Sequence, residues 1–189
     1  MTFKDYLDYF EKLINQHPSE RTPPYDDAEY AEYTKLNWSR LNRWLKTGKI
    51  NDEMMAVLSG IESPQNWIVI TEPWCGDAAH IVPFIELISR QNPLITVEYE
   101  LRDSAPFRIN EYLTNNTKSI PKLIIRNNKG EDLAVWGPRP EACQKVYLDL
   151  KEKGEAMEQI KLEIQNWYNE NKGAEIQREI RQVIEMIPA

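Results

Sequence analysis

A short apolar run that passes directly into a helical pattern is the feature that most restricts how this chain can fold. Residues 67–70 (Trp-Ile-Val-Ile) have the length and composition of a buried β-strand, and residues 75–90 continue with apolar side chains at helical spacing. The junction between them reads Trp74-Cys75-Gly76-Asp77. The sequence therefore predicts a cysteine at the point where a strand ends and a helix begins.

The segments that follow have the order expected of an α/β fold. Residues 127–130 form a turn between two β-rich runs, which indicates a hairpin, and Pro140 favours a helix start because its missing N–H is not needed there. The predicted elements are a strand at 94–101, a helix at 105–113, strands at 122–128 and 132–137, and a helix from 140. This order predicts one mixed sheet with helices on both faces.

Helical segments precede and follow this α/β part. Thr2-x-x-Asp5 is a helix-capping pattern, and the next helices are predicted at 28–46, with Tyr30 and Tyr33 near its buried face, and at 51–58. Near the end, a helical stripe must pack against the same chain or a second copy; it contains Ile176, Ile180, Val183, Ile184 and Ile187. We therefore divide the chain into an N-terminal helical arm (1–62), an α/β domain (63–150) and a C-terminal helical extension (151–189).

Net charge and cysteine content limit the classes of partner and the cellular location that we expect for the protein. The 189 residues carry a net charge of −7, which disfavours nucleic acid and anionic membranes as partners. No window approaches the roughly 18 apolar residues of a membrane span, and the N-terminus lacks the basic and apolar regions of a signal peptide. Two cysteines are too few for a disulfide scaffold, so we expect a reducing, cytoplasmic location.

Few residues other than Cys75 suggest chemistry. No cluster of His, Cys and carboxylate residues has metal-ligand spacing, and no Gly-rich phosphate loop is present, so we expect neither a metal nor a cofactor. His80 is either a packing residue or a base. Cys143, on the helix after Pro140, is either a small core residue or a second thiol.

Two effects act in opposite directions on the Cys75 thiol. The free N–H groups and positive dipole end of the following helix favour the thiolate and lower the pKa of Cys75. The carboxylate of Asp77 in the first helical turn raises that pKa. Either sign of the net shift is compatible with the sequence.

The residues around Cys75 resemble the active site of the thioredoxin family. That family has Trp-Cys-Gly-Pro-Cys at a helix start, and Trp74, Cys75 and Gly76 match it, as does Pro83 eight residues after the cysteine. Ile120-Pro121 resembles the family's cis-proline loop, and Gly137 resembles a glycine that lines the same groove. The resemblance covers about residues 63–150. It implies a thioredoxin-like mixed sheet flanked by helices.

The motifs "WCGDA" and "WGPRP", together with a helical arm, narrow the resemblance to a bacterial subgroup of thioredoxin-like proteins. Two departures bear on its chemistry. Ala78 stands where the family has its resolving cysteine, and Val69 stands where it has a buried, proton-carrying aspartate. Because both are absent, the resemblance argues against a dithiol cycle and leaves Cys75 as a monothiol.

The resemblance also implies which residues form the site. A cis Ile120–Pro121 bond would present main-chain groups to an extended peptide, and Arg139 would lie near the thiol, where it could steady a thiolate or bind a carboxylate of a partner such as glutathione. The substrate groove is predicted to contain Trp74, Gly76, Asp77, Ile120, Pro121, Gly137 and Arg139.

Two functions follow from these residues. In the first, Cys75 is the catalytic residue of a monothiol thiol-disulfide oxidoreductase, which exchanges disulfides with proteins or low-molecular-weight thiols and is resolved by an external thiol or by Cys143. In the second, the fold is a binding module without redox turnover. A high pKa of Cys75 would favour the second function.

Overall fold

The structure, a computed structural model, describes residues 1–188, in which seven α-helices and four β-strands are present. The helices are α1 (Phe3–Asn15), α2 (Ala28–Thr47), α3 (Asp52–Ser59), α4 (Gly76–Ser89), α5 (Glu141–Glu152), α6 (Met157–Asn171) and α7 (Ala174–Glu185). The strands are β1 (Gln65–Thr71), β2 (Ile95–Leu101), β3 (Lys122–Asn127) and β4 (Asp132–Trp136).

The strands form one mixed sheet in the order β2-β1-β3-β4. β1 pairs in parallel with β2 and antiparallel with β3, and the β3–β4 hairpin completes the sheet. The apolar run of β1 is buried on both faces because helices cover both sides, which is why it reads as continuous rather than alternating. The predicted α/β, thioredoxin-like sheet flanked by helices is confirmed.

Helix α1 covers the free edge of the sheet at β2. Its predicted capping box is present, with Thr2 and Asp5 each bonding the other's backbone N–H. Met1 exchanges two main-chain hydrogen bonds with Tyr99 of β2, at 2.8 and 3.0 Å, and Tyr6 stacks on the Tyr99 ring at 5.7 Å. This arrangement satisfies strand groups that would otherwise be open to a second chain.

Helix α2 packs across α4 and fixes the segment before Cys75. Asn37, fully buried, donates a hydrogen bond of 3.0 Å to the Pro73 carbonyl. The expected buried face of α2 is partly wrong: Leu41 and Trp44 are buried, but Tyr30 is 47% exposed. The buried line begins instead with the small and polar side chains of Ala31, Thr34 and Asn37.

The prediction of an α-helix at 105–113 is wrong. Only a single 3₁₀ turn, Arg108–Glu111, is formed there. Phe107 has a φ of 56°, in the left-handed region, and an α-helix cannot continue through such a residue.

The C-terminal helices return to the core of the same chain. Ile176, Ile180 and Ile184 of α7 are buried, and α7 packs on α3, α4 and β4. One hydrophobic core therefore contains residues of all three predicted segments, from Phe3 to Ile184. The three-way division at 62 and 150 stays a prediction. Within residues 1–188, no helix combines the length and apolar character needed to cross a bilayer.

Candidate active-site groove

Cys75 is the N-cap residue of α4 and follows β1, which ends at Thr71. Its Sγ donates a hydrogen bond of 3.5 Å to the carbonyl oxygen of Ile120. The residue is only 7% exposed, although it lies at a strand-to-helix junction. The thiol faces the predicted loop but is largely covered.

The loop opposite Cys75 has the predicted cis bond between Ile120 and Pro121. Gly137, with a φ of 108°, packs against this loop. A Cβ at Gly137 would collide with the Pro121 carbonyl oxygen, so a residue without a side chain is required. Trp74 lies beside the thiol, with the Arg102 guanidinium 4.6 Å from its ring centre.

Arg139 reaches the site but binds Asp77. A hydrogen bond from Nε to Oδ1 at 2.8 Å and an ion-pair contact between Nη2 and Oδ2 at 2.7 Å join the pair. The Tyr168 hydroxyl donates a further hydrogen bond of 2.8 Å to Asp77. The positive charge of Arg139 is therefore paired with this carboxylate and not with the Cys75 thiol.

Burial and these contacts determine the direction in which the pKa of Cys75 is shifted. Burial, followed by the nearby Asp77 carboxylate, raises the pKa of Cys75 to about 12. The N–H groups of Ala78 and Asp77 and the charge of Arg139 act in the opposite direction and are outweighed. Cys75 is therefore a protonated thiol at neutral pH.

Cys143 lies on α5 with no exposed surface. Burial, and then the Asp77 charge, raise its pKa to about 12. This placement fits the core-residue interpretation. A resolving role for Cys143 stays a prediction.

His80 is a packing residue between three helices. Trp44 donates a hydrogen bond of 2.8 Å to its Nδ1, its Nε2 lies 3.1 Å from Gln165 Oε1, and its ring stacks on Tyr168 at 4.4 Å. Burial lowers its pKa to about 3. Both ring nitrogens are thus occupied away from Cys75, and His80 is not placed to act as its base.

Three residues at the site were missed by the sequence analysis. Tyr168 comes from the C-terminal extension, and Arg40 from the arm. Glu72 stands between β1 and the cysteine; it accepts the Asp103 N–H at 3.2 Å, and burial raises its pKa to about 7. Only the position of Glu72 beside the motif offered a sequence signal.

Two cavities meet at Cys75. We call the first the proline-loop groove; it is lined on one side by Ile120, Pro138 and Lys118 and on the other by Trp74 and Cys75. We call the second the arm cavity; it lies between α2, the start of α4 and α6, and has a volume of about 330 Å³. No group of three His, Cys or carboxylate residues able to hold a metal ion occurs in the described part of the chain.

Comparison with known proteins identifies a family and a fold. A family model described as Thioredoxin matches residues 24–158. No curated protein matches the chain. Two solved structures have the same fold: an HIV epitope scaffold (15% identity, TM-score 0.59, all of both chains covered) and a Pseudomonas aeruginosa protein of unknown function (16% identity, TM-score 0.51, 92% of this chain and 99% of that one).

Proposed function

The chain belongs to the thioredoxin family, and from this premise we propose that it is a binding module that holds an extended, acidic peptide segment of a partner protein in the proline-loop groove. Redox turnover is not part of this function. The observation that carries the proposal is the charge of the groove. Four basic residues and a single carboxylate line it, although the whole chain has a net charge of −7.

The basic residues of the groove are not equivalent. Arg139 pairs with Asp77 and Arg102 with Asp103, so these two charges are already compensated. Lys118 and Lys151 are exposed. A local excess of positive charge on an acidic protein selects an acidic partner and speeds its association.

The main chain at Ile120 supports an extended ligand. No backbone hydrogen bond to the Ile120 N–H occurs within residues 1–188. An N–H beside a groove is the group that an added strand uses when it extends a β-structure. The side chains of such a peptide would then alternate between the groove and solvent.

The state of Cys75 supports binding over turnover. A thiol with a raised pKa attacks disulfides slowly because the thiolate is the nucleophile. It is also a poor leaving group from a mixed disulfide. Cys75 instead contributes a hydrogen bond to the Ile120 carbonyl, which helps to fix the loop.

The test uses the blocked peptide acetyl-Glu-Val-Glu-Val-Glu-Val-amide and its Lys-for-Glu analogue, with affinities measured by calorimetry. We expect the acidic peptide to bind more tightly and to weaken as salt is added. Replacing Lys118 and Lys151 with Gln should lower its affinity about fivefold, which corresponds to about 1 kcal/mol.

The matched control replaces Lys12 and Lys46 with Gln, since both are exposed and line neither cavity. Its affinity should equal that of the native protein. Equal binding of the basic analogue, or an equal loss in the control variant, would count against the proposal.

A second candidate is monothiol disulfide exchange through Cys75, with an external thiol that resolves the mixed disulfide. The observation that favours this candidate is that Cys75 lines both cavities and faces Ile120. A substrate disulfide bound in either cavity would therefore lie near the Cys75 Sγ. The two candidates differ in the rate at which Cys75 forms a mixed disulfide with oxidised glutathione.

The finer predictions from the sequence belong with these candidates. They are membership of the bacterial Trp-Cys-Gly-Asp-Ala subgroup, a cytoplasmic location, a protein or low-molecular-weight thiol as partner, and a second copy of the chain as an alternative partner. Each stays a prediction.

A further inference from the structure

We propose that the arm cavity is a separate binding site for a small aromatic carboxylate. Its volume of about 330 Å³ is within the range of small-molecule sites. It shares Trp74, Cys75, Asp77, Arg139 and Tyr147 with the proline-loop groove but contains no residue of the Ile120–Pro121 loop. The inference therefore does not rest on peptide binding in the proline-loop groove.

Arg40 supplies the charge that a carboxylate would meet. Its Nη1 donates to Asn37 Oδ1 at 2.8 Å, but its Nε is buried and has no hydrogen-bond partner. Within residues 1–188, no carboxylate pairs with this guanidinium. The buried Nε is out of reach of solvent, so a ligand carboxylate would pair with the accessible part of this half-buried guanidinium, whose charge no carboxylate of the described residues compensates.

Lys161 adds a second cation to the same part of the wall. Its Nζ lies 5.6 Å from the centre of the Tyr33 ring, and the Arg40 guanidinium lies 5.0 Å from that centre. The partners of Lys161 are Glu29 and Glu158, at 3.3 and 3.2 Å, and both carboxylates are more than two-thirds exposed. Exposed pairs of this kind are weak and leave Lys161 able to attract an anion.

The remaining walls are suited to a planar apolar group. They include the aromatic side chains of Tyr30, Tyr33, Trp74 and Tyr147, together with Ile160 and Ile164. The Tyr33 hydroxyl packs so closely on Gly76 that a Cβ there would collide with it. The tyrosine is thereby held beside the first turn of α4, where an aromatic ligand can contact its ring.

The probes are 2-naphthoate and its neutral analogue 2-naphthamide, with binding measured by calorimetry. Because only the naphthoate carries a charge, we expect the native protein to bind it about tenfold more tightly than the amide. Arg40→Gln should remove most of this preference and leave the affinity for the amide unchanged. Lys161→Gln, at a partly exposed position, should reduce the preference about threefold.

Arg43→Gln is the matched control, because Arg43 is on the same helix but does not line the cavity. It should keep the native preference. If Arg40→Gln unfolds, as judged by circular dichroism, Lys161→Gln decides the test. The proposal is overturned if naphthoate fails to bind at about 1 mM, if both probes bind equally, or if the deciding variant keeps the preference.

A competition experiment separates this site from the groove. Naphthoate should remain bound when the acidic hexapeptide is added in excess, since the peptide is proposed to contact Ile120, which does not line the arm cavity. Displacement of naphthoate by the peptide would contradict a separate site. Failure of the peptide to bind would remove the proposed function and leave the naphthoate result intact.

Discussion

Replacing Asp77 with Ala should lower the free energy of unfolding by about 3 to 5 kcal/mol, because it leaves the largely buried charge of Arg139 without its partner. It also leaves the buried Tyr168 hydroxyl without an acceptor. Urea denaturation followed by circular dichroism measures this loss. A decrease in the free energy of unfolding of less than about 1 kcal/mol would mean that Arg139 becomes hydrated or pairs with another residue in the variant.

Two controls show whether the loss belongs to the pair. Asp8→Ala breaks the exposed Lys4–Asp8 pair and should change stability by at most about 0.5 kcal/mol. Adding Arg139→Met to Asp77→Ala removes the unpaired charge and should recover part of the lost stability. A double variant less stable than Asp77→Ala would argue that Arg139 stabilises the fold independently of Asp77.

Acidification should destabilise the protein through His80. Its folded pKa of about 3 lies below the ordinary value of 6.5, so the folded state resists protonation. The stability that depends on neutral His80 is fully present above pH 6.5 and is lost as the pH falls towards 3. At pH 4 the loss from this residue is about 3 kcal/mol. The charges of Arg40 and Arg43 act in the same direction as burial.

The measurement compares urea denaturation at pH 7 and pH 4 for the native protein and for His80→Gln. The variant is expected to be less stable at pH 7 because its packing is poorer, but its stability should fall about 3 kcal/mol less on acidification. His17→Gln, at an exposed position, is the matched control and should follow the native profile. Parallel profiles for the native protein and His80→Gln would contradict the assignment.

Local patterns predicted much of the fold. The apolar run of β1, the turn of the β3–β4 hairpin and the capping box of α1 each depend on neighbouring residues, and each is confirmed. The predicted helix at 105–113 failed because the left-handed backbone of Phe107 is not visible in residue spacing. The exposure of Tyr30 likewise depends on contacts between distant segments, which residue spacing along α2 does not show.

The site was less predictable because its electrostatics depend on distant residues. Arg139 and Tyr168 lie 62 and 91 positions from Asp77 along the chain, yet both donate to its carboxylate. The resemblance placed Arg139 near the thiol, but not its pairing with Asp77. The upward shift of the Cys75 pKa follows mainly from burial, which a strand-to-helix junction alone does not reveal.

The central claim is that Cys75 is held as a protonated thiol and therefore does not turn over disulfides. The most direct test is the rate at which oxidised glutathione adds to Cys75 at pH 7, followed by intact mass. Cys143→Ser isolates the site, and the same variant in concentrated urea supplies an ordinary cysteine. Adding Cys75→Ser to Cys143→Ser gives the blank.

A pKa near 12 lowers the thiolate fraction about 3000-fold relative to an ordinary thiol, while the nucleophilicity of the thiolate rises only about 40-fold. The folded protein should therefore react about 75-fold more slowly than the unfolded chain. A folded rate equal to or above the unfolded rate would contradict this account and favour monothiol exchange.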